Sequence, residues 1–179
     1  MTAARDYRVA PLRKSSIASL VVLLMLLPLG AAIAGFVQPD VERDTIRLLQ
    51  LLFVSALPAA LLVPALLRRR VEFDGRTLTI KSAFHTRRPT LDELDLDSAR
   101  IVDLNERKEL RPMLRRFGFA LVGFRAGHYR LRNWQKAFAL LTRRERVLAL
   151  SERGGMLLLL SLERPQQLID DLRAAAARP

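Results

Sequence analysis

Few side chains in this chain of 179 residues could do covalent or acid–base chemistry. It contains no cysteine, which excludes a disulfide framework, thiol catalysis and a thiolate metal site. Two histidines, His85 and His128, are too few for a multi-His metal centre. His85 stands beside Thr86-Arg87-Arg88 and His128 beside Gly127, and both read as surface imidazoles. The densest acidic group, Asp92, Glu93, Asp95 and Asp97, has no His partner and reads as a solvated strand and turn rather than a cation site. No Ser or Thr stands beside a His and a carboxylate, so a hydrolase triad has no support. Gly118, Gly123 and Gly127 are spaced by five and four and follow no strand–turn–helix pattern, so they do not make a phosphate-cradling loop. The expectation is a chain that is not an enzyme and carries neither cofactor nor metal.

The chemistry on offer is electrostatic. Arg115, Arg116, Arg125, Arg130, Arg132 and Lys136 fall within 22 residues, interleaved with Phe117, Phe119, Phe124, Tyr129 and Trp134. Basic and aromatic interleaving can pair phosphates and stack bases. Alternation along strands would instead send most of these aromatics into a core, so nucleic acid is not the expected partner. Arg68, Arg69 and Arg70 form a second basic group. Charges close to an anionic lipid surface are attracted by about 1 kcal/mol each. The expected surface contacts are therefore Arg68, Arg69, Arg70, Arg115 and Arg116, with Arg125, Arg130 and Trp134 as candidate residues for a partner.

The elements that must position these groups fall into two unlike parts. Residues 1–67 hold 6 Lys and Arg against 4 Asp and Glu, and residues 68–179 hold 24 against 14, so the parts carry +2 and +10 of the formal +12. Ser15 to Pro39 is a run of 25 uncharged residues, and within it 17–36 spans about 30 Å as a helix, the thickness of a bilayer core. A second uncharged run, 48–67, has the same length. Pro28, Pro58 and Pro64 read as kinks. The short link between the runs predicts an antiparallel transmembrane hairpin with a short extracytoplasmic loop. Arg5, Arg8, Arg13 and Lys14 before it and Arg68–Arg70 after it put both termini in the cytoplasm. The expected arrangement is thus a multi-pass membrane protein with a basic cytoplasmic N-terminus over 1–14 and a cytoplasmic domain over 68–179. Ala32-Ile33-Ala34 also resembles a signal-peptide cleavage site, although the apolar run is long for one.

Past Arg70 the pattern changes to short alternating segments. Val71–Phe73 and Leu78–Ile80 flank Asp74-Gly75, the chemistry of a tight hairpin turn. Further strands are expected at Ala99–Leu104, Phe119–Phe124, Tyr129–Leu131, Lys136–Leu141, Arg146–Leu150 and Met156–Leu162. The unbroken run Met156–Leu160 predicts either a central strand buried on both faces or a strand end turning under the final helix. Pro165 opens a helix with Leu168, Ile169, Leu172 and Ala176 on one stripe.

The succession RTLTIKSAF, LDLDSARIVDL, GHYRL, KAFALLT, RVLAL and LSLERPQQLIDDLRA resembles a bacterial pleckstrin-homology (PH)-like domain over residues 71–173. The whole chain is similar to bacterial proteins with such a domain behind two membrane spans, which implies the bacterial cytoplasmic (inner) membrane, multi-pass, as its location. The resemblance implies an α+β fold: an N-terminal transmembrane helical hairpin followed by a PH-like, mostly antiparallel β-barrel with one C-terminal amphipathic helix. The tight Asp74-Gly75 turn, with only Arg76 and Lys81 following, offers few cations where eukaryotic PH domains hold phosphoinositides. The expected function is a membrane-anchored binding or scaffolding module that engages a protein partner or anionic lipid. The alternative is a structural subunit of a membrane complex, its helices packing through Gly30, Ala31, Ala34 and Gly35.

Overall fold

The computed structural model describes residues 5–12, 14–36, 53, 60, 68–82 and 85–177. Two sheets face each other. The smaller has four antiparallel strands in the order β1 (Arg5–Tyr7), β2 (Arg69–Phe73), β3 (Leu78–Ser82) and β4 (His85–Arg87). Asp74-Gly75 makes the β2–β3 turn, with Gly75 at φ 93° and the Asp74 carboxylate accepting from the backbone N–H groups of Thr77 and Arg76. The larger sheet is built from β5 (Leu94–Val102), β6 (Pro112–Leu121), β7 (Phe124–Leu131), β8 (Lys136–Leu141), β9 (Val147–Glu152) and β10 (Leu157–Leu160). Its order is β5-β9-β10-β8-β7-β6. The last strand therefore inserts between β8 and β9, parallel to the first and antiparallel to the second.

Alternation explains why β10 must be central. Leu158 and Leu160 join Phe138, Leu140, Leu148 and Leu150 in one cluster, with β2 and β3 side chains and Leu168, Ile169 and Leu172 of the helix α2 (Pro165–Ala176). Leu157 and Leu159 join Ala137, Ala139, Val147 and Ala149 in a second cluster on the opposite face, with Leu104 and Leu110 of the β5–β6 connection. A strand that is apolar on both faces is stable only where both faces are covered. Residues 5–12 belong to this assembly too. Tyr7 is buried, its hydroxyl donates to Asp171 at 2.5 Å, and the Ala10 N–H donates to the Ser161 carbonyl at 2.9 Å.

The apolar helix α1 covers Lys14–Phe36. Among the described residues no helix is long and apolar enough to cross a membrane. This corrects the expected transmembrane hairpin and, with it, the multi-pass inner-membrane placement. The side chains of α1 are described only as far as Gly30. Its first turn carries Lys14, Ser15 and a buried Ser16 ahead of the apolar residues that start at Ile17. The second expected span, 48–67, lies outside the described residues apart from Phe53 and Ala60, as do the side chains of Ala31, Ala34 and Gly35. A Cβ added at Gly30 would meet nothing within 4 Å.

The strand expected at Phe119–Phe124 is instead the end of β6, a two-residue turn at Val122-Gly123 and the start of β7. Across this hairpin Gly118 pairs with Gly127. Both have positive φ, 149° and 112°, and a Cβ on Gly127 would stand 2.5 Å from the Phe117 carbonyl oxygen and 2.6 Å from the Gly118 Cα. The glycine pair lets the two backbones approach closely, and backbone cannot yield as a flexible side chain can. Gly127→Ala should lower the urea unfolding free energy by roughly 3 kcal/mol, since it combines overpacking with a disfavoured backbone conformation. An unfolding midpoint unchanged from the parent would show that this approach is not required.

Candidate functional site

The curled edge of the large sheet and the connections at its end enclose a cleft of about 780 Å³. Ser15 contributes from the start of α1, Pro112 and Met113 from β6, and Thr142 to Glu145 from the β8–β9 connection. Five arginines line it: Arg111, Arg125, Arg132, Arg143 and Arg144.

Three of the five are held by backbone carbonyls. Arg111 donates from Nε to Leu104 at 2.5 Å and from Nη2 to Asn105 at 3.1 Å. Arg125 donates from Nη1 to Pro112 at 2.7 Å, and Arg143 donates from Nη2 to Leu162. The half-buried Arg125 guanidinium is pushed below its ordinary value by loss of solvent and by the charges of Arg144 and Arg111, against an opposing pull from Tyr129. Arg132 and Arg144 are exposed. Among the described residues none of the five makes an ion pair with a carboxylate. The Thr142 hydroxyl and the Arg143 Nε are buried without a hydrogen-bond partner among those residues.

The outer strand β6 borders this cleft. It has a strand neighbour on one side only, and it displays Met113, Leu114, Arg115, Arg116 and Phe117, the last 70% exposed. Its register with β7 is irregular between Pro112 and Leu114 and between Arg115 and Phe117, then regular from Phe117 to Leu121.

The structure divides the residues singled out from the sequence. Arg115 and Arg116 stand together on β6, and Arg125 reaches the neighbouring cleft. Arg130 stands near the end of β7 and Trp134 in the turn that follows, where Arg130 Nη1 donates to the Trp134 carbonyl at 3.1 Å and Trp134 is 60% exposed at φ 64°. Arg68 is exposed ahead of β2, which holds the other two arginines of the triplet. Arg70 is engaged with Glu72 at 2.8 Å and Asp6 at 3.3 Å, and burial lowers the proton affinity of Arg69. The triplet and the β6 group thus lie on different sheets. In the acidic group, Glu93 accepts from the Thr90 N–H at 2.9 Å, a capping role. No group of three or more His, Asp or Glu able to hold a metal ion occurs among the described residues. Arg111, Arg143 and Arg144 were missed by the sequence reading, because each stands in a connection and carries no periodic signal.

No family model, no curated protein and no solved structure matches the chain. The likeness to PH-like domains therefore rests on the order of its sequence segments.

The two histidines do not sit apart on the surface. Their rings meet edge-on at 5.7 Å between β4 and β7, and His128 also meets Phe138 at 4.9 Å. Beside them Arg87 bridges to the buried Glu152, Nε to Oε1 at 3.1 Å and Nη2 to Oε2 at 2.5 Å. Burial, then the neighbouring His85 and Arg87, lower the His128 pKa, and Glu152 opposes them. The fold therefore favours neutral His128. As pH falls through the ordinary imidazole value of about 6.5 toward the lower folded value, the unfolded chain takes up a proton that the fold resists, and stability declines over that window. His128→Phe should flatten this part of the fall in urea midpoint between about pH 7.5 and pH 5, while equal declines in parent and variant would assign it to other groups.

Proposed function

We propose that this chain is a non-catalytic docking module that takes an extended, acidic segment of a partner protein along β6. The observation that carries the reading is the combination on one outer strand of exposed Met113, Leu114 and Phe117 with Arg115 and Arg116. An outer strand offers backbone N–H and C=O groups to an added strand, and side chains on alternate positions supply selectivity. Apolar surface at a strand edge is otherwise a liability, and the paired arginines give it a charge preference. Phe117–Leu121 is the stretch whose register with β7 is unbroken, which makes it the place for strand addition. The cations near it are arginines, which stay protonated at neutral pH and so hold anions without passing protons. Anionic lipid is the competing occupant of the same surface.

A photo-crosslinking residue placed at Phe117 in the native cell separates the two. The expected adducts are peptides rich in Asp or Glu, absent from the same substitution at exposed Thr86 of β4. Arg115→Glu with Arg116→Glu should reduce them at least tenfold, because two exposed, partly screened attractions are replaced by repulsions, and should leave thermal unfolding unchanged. Adducts confined to lipid, or binding of the chain to anionic vesicles that falls with the double variant while protein adducts stay absent, would overturn the protein reading.

A further inference from the structure

We propose that the five-arginine cleft between the start of α1, β6 and the β8–β9 connection is a binding site for a phosphate-bearing group carrying at least two negative charges. This goes beyond docking on β6, since the cleft is a separate concavity whose charges do not depend on strand addition.

Three observations support it. The first is convergence. Arg111, Arg125, Arg132, Arg143 and Arg144 line one cleft of about 780 Å³, within the size range of small-ligand sites, with Glu145 as the only acid among the described lining residues. Gathering like charges costs energy in the empty site, and a multiply charged anion relieves it.

The second is the manner in which the charges are held. On the four-stranded sheet and α2 the arrangement differs, because Arg5, Arg70, Lys81 and Arg87 pair with Asp171, Asp6, Glu72 and Glu152. In the cleft the partners of Arg111, Arg125 and Arg143 are neutral carbonyls, which fix a guanidinium in place and leave its charge in force. Fixed guanidinium forks match phosphate oxygens two at a time, and a site already ordered loses less entropy on binding.

The third is uncommitted hydrogen-bonding capacity in the wall. Thr142 is fully buried, and its hydroxyl has no partner among the described residues, as is the case for the Arg143 Nε next to it in sequence. Buried polar groups are nearly always satisfied, and these two adjacent exceptions stand in the wall of a cationic cleft, where a small shift of the wall brings them to an entering anion or its water. Phosphate suits this set better than a carboxylate, because it brings three oxygens and a second charge to several donors at once.

The test uses the full chain and inorganic pyrophosphate in calorimetric titration, with flotation on phosphatidylcholine vesicles containing phosphatidic acid as a second arm. Arg132→Glu with Arg144→Glu reverses the two exposed cations of the cleft and leaves the carbonyl-anchored ones in place. Arg88→Glu with Arg153→Glu makes the same change of charge at exposed positions outside it. The expected result is saturable pyrophosphate binding that weakens about tenfold or more in the first variant and stays within about twofold in the second, both unfolding at the parent's temperature. Vesicle binding with this variant dependence, without pyrophosphate binding, would assign the group to a lipid headgroup. No saturable binding in either arm, or equal loss in both variants, would overturn the site.

Discussion

Leu157–Leu160 is a strand with leucine on both faces, and most of the molecule is arranged around the need to cover both. Placing it between β8 and β9 buries all four side chains completely or nearly so. One face receives the four-stranded sheet and α2, and the other receives the small residues of β8 and β9 with Leu104 and Leu110. The cost of that position is topological. A strand that follows β9 by a tight turn and also lies parallel to β8 forces the β8–β9 connection to cross the end of the sheet. That crossing connection is the segment 142–146, which carries Thr142, Arg143 and Arg144 into the cleft.

The cleft is thus a by-product of how the second cluster is closed. Alanines at 137, 139 and 149 leave room for Leu104 and Leu110 to come down onto the sheet. The loop bearing them is tied by Leu104 N–H to the Arg144 carbonyl at 2.9 Å and by the Arg132 N–H to the Arg111 carbonyl at 3.1 Å. Those same two bonds bring Arg111, Arg132 and Arg144 to one rim. The Gly118–Gly127 pair lets the two strands of the hairpin approach closely beside it, and the Tyr129 hydroxyl donates to the Phe119 carbonyl at 2.7 Å. Core closure and charge convergence rest on one set of backbone contacts, so a change that loosens the loop disturbs both.

Legibility in the sequence followed the strength of local periodicity. Lys136–Leu141 was read with its observed bounds, and the Asp74-Gly75 turn and the helix opening at Pro165 were read from turn and cap chemistry that acts over three or four residues. The unbroken apolar run at 156–160 left a choice between a central strand and a strand end, which only the pairing resolves. The residues Pro112–Gly118 gave no strand signal because an outer strand exposed on much of its length has no need to alternate. Residues 5–7 fall in the expected basic cytoplasmic N-terminus and give no strand signal, since three residues carry no period and their partner β2 lies more than sixty positions away. The reading of 17–36 and 48–67 as a transmembrane hairpin came from length and hydropathy alone, and it is the part that the structure corrects. The basic group 115–136 was visible as composition, but its division between an outer strand, a turn and a cleft is a property of the register.

A net charge of +12 could be spread evenly as a solubilising coat, and the arrangement of partners argues against that. On the small sheet and α2 the arginines at 5, 70 and 87 each meet a carboxylate at 3.3 Å or less. Around the cleft and along β6 no such pair is present among the described residues, and the cleft guanidinium groups that are held at all are held by carbonyls. A coat of independent charges would minimise its own repulsion by spreading or by pairing. Charges pressed together and left unneutralised keep a local positive potential that salt screens only over distances comparable with the Debye length, about 8 Å at physiological ionic strength. Such a potential raises the encounter rate of an anion approaching the β6 side, and it is weaker where Arg5, Arg70 and Arg87 are neutralised by carboxylates. The proposed docking strand and anion cleft draw on this asymmetry of neutralisation more than on the total charge.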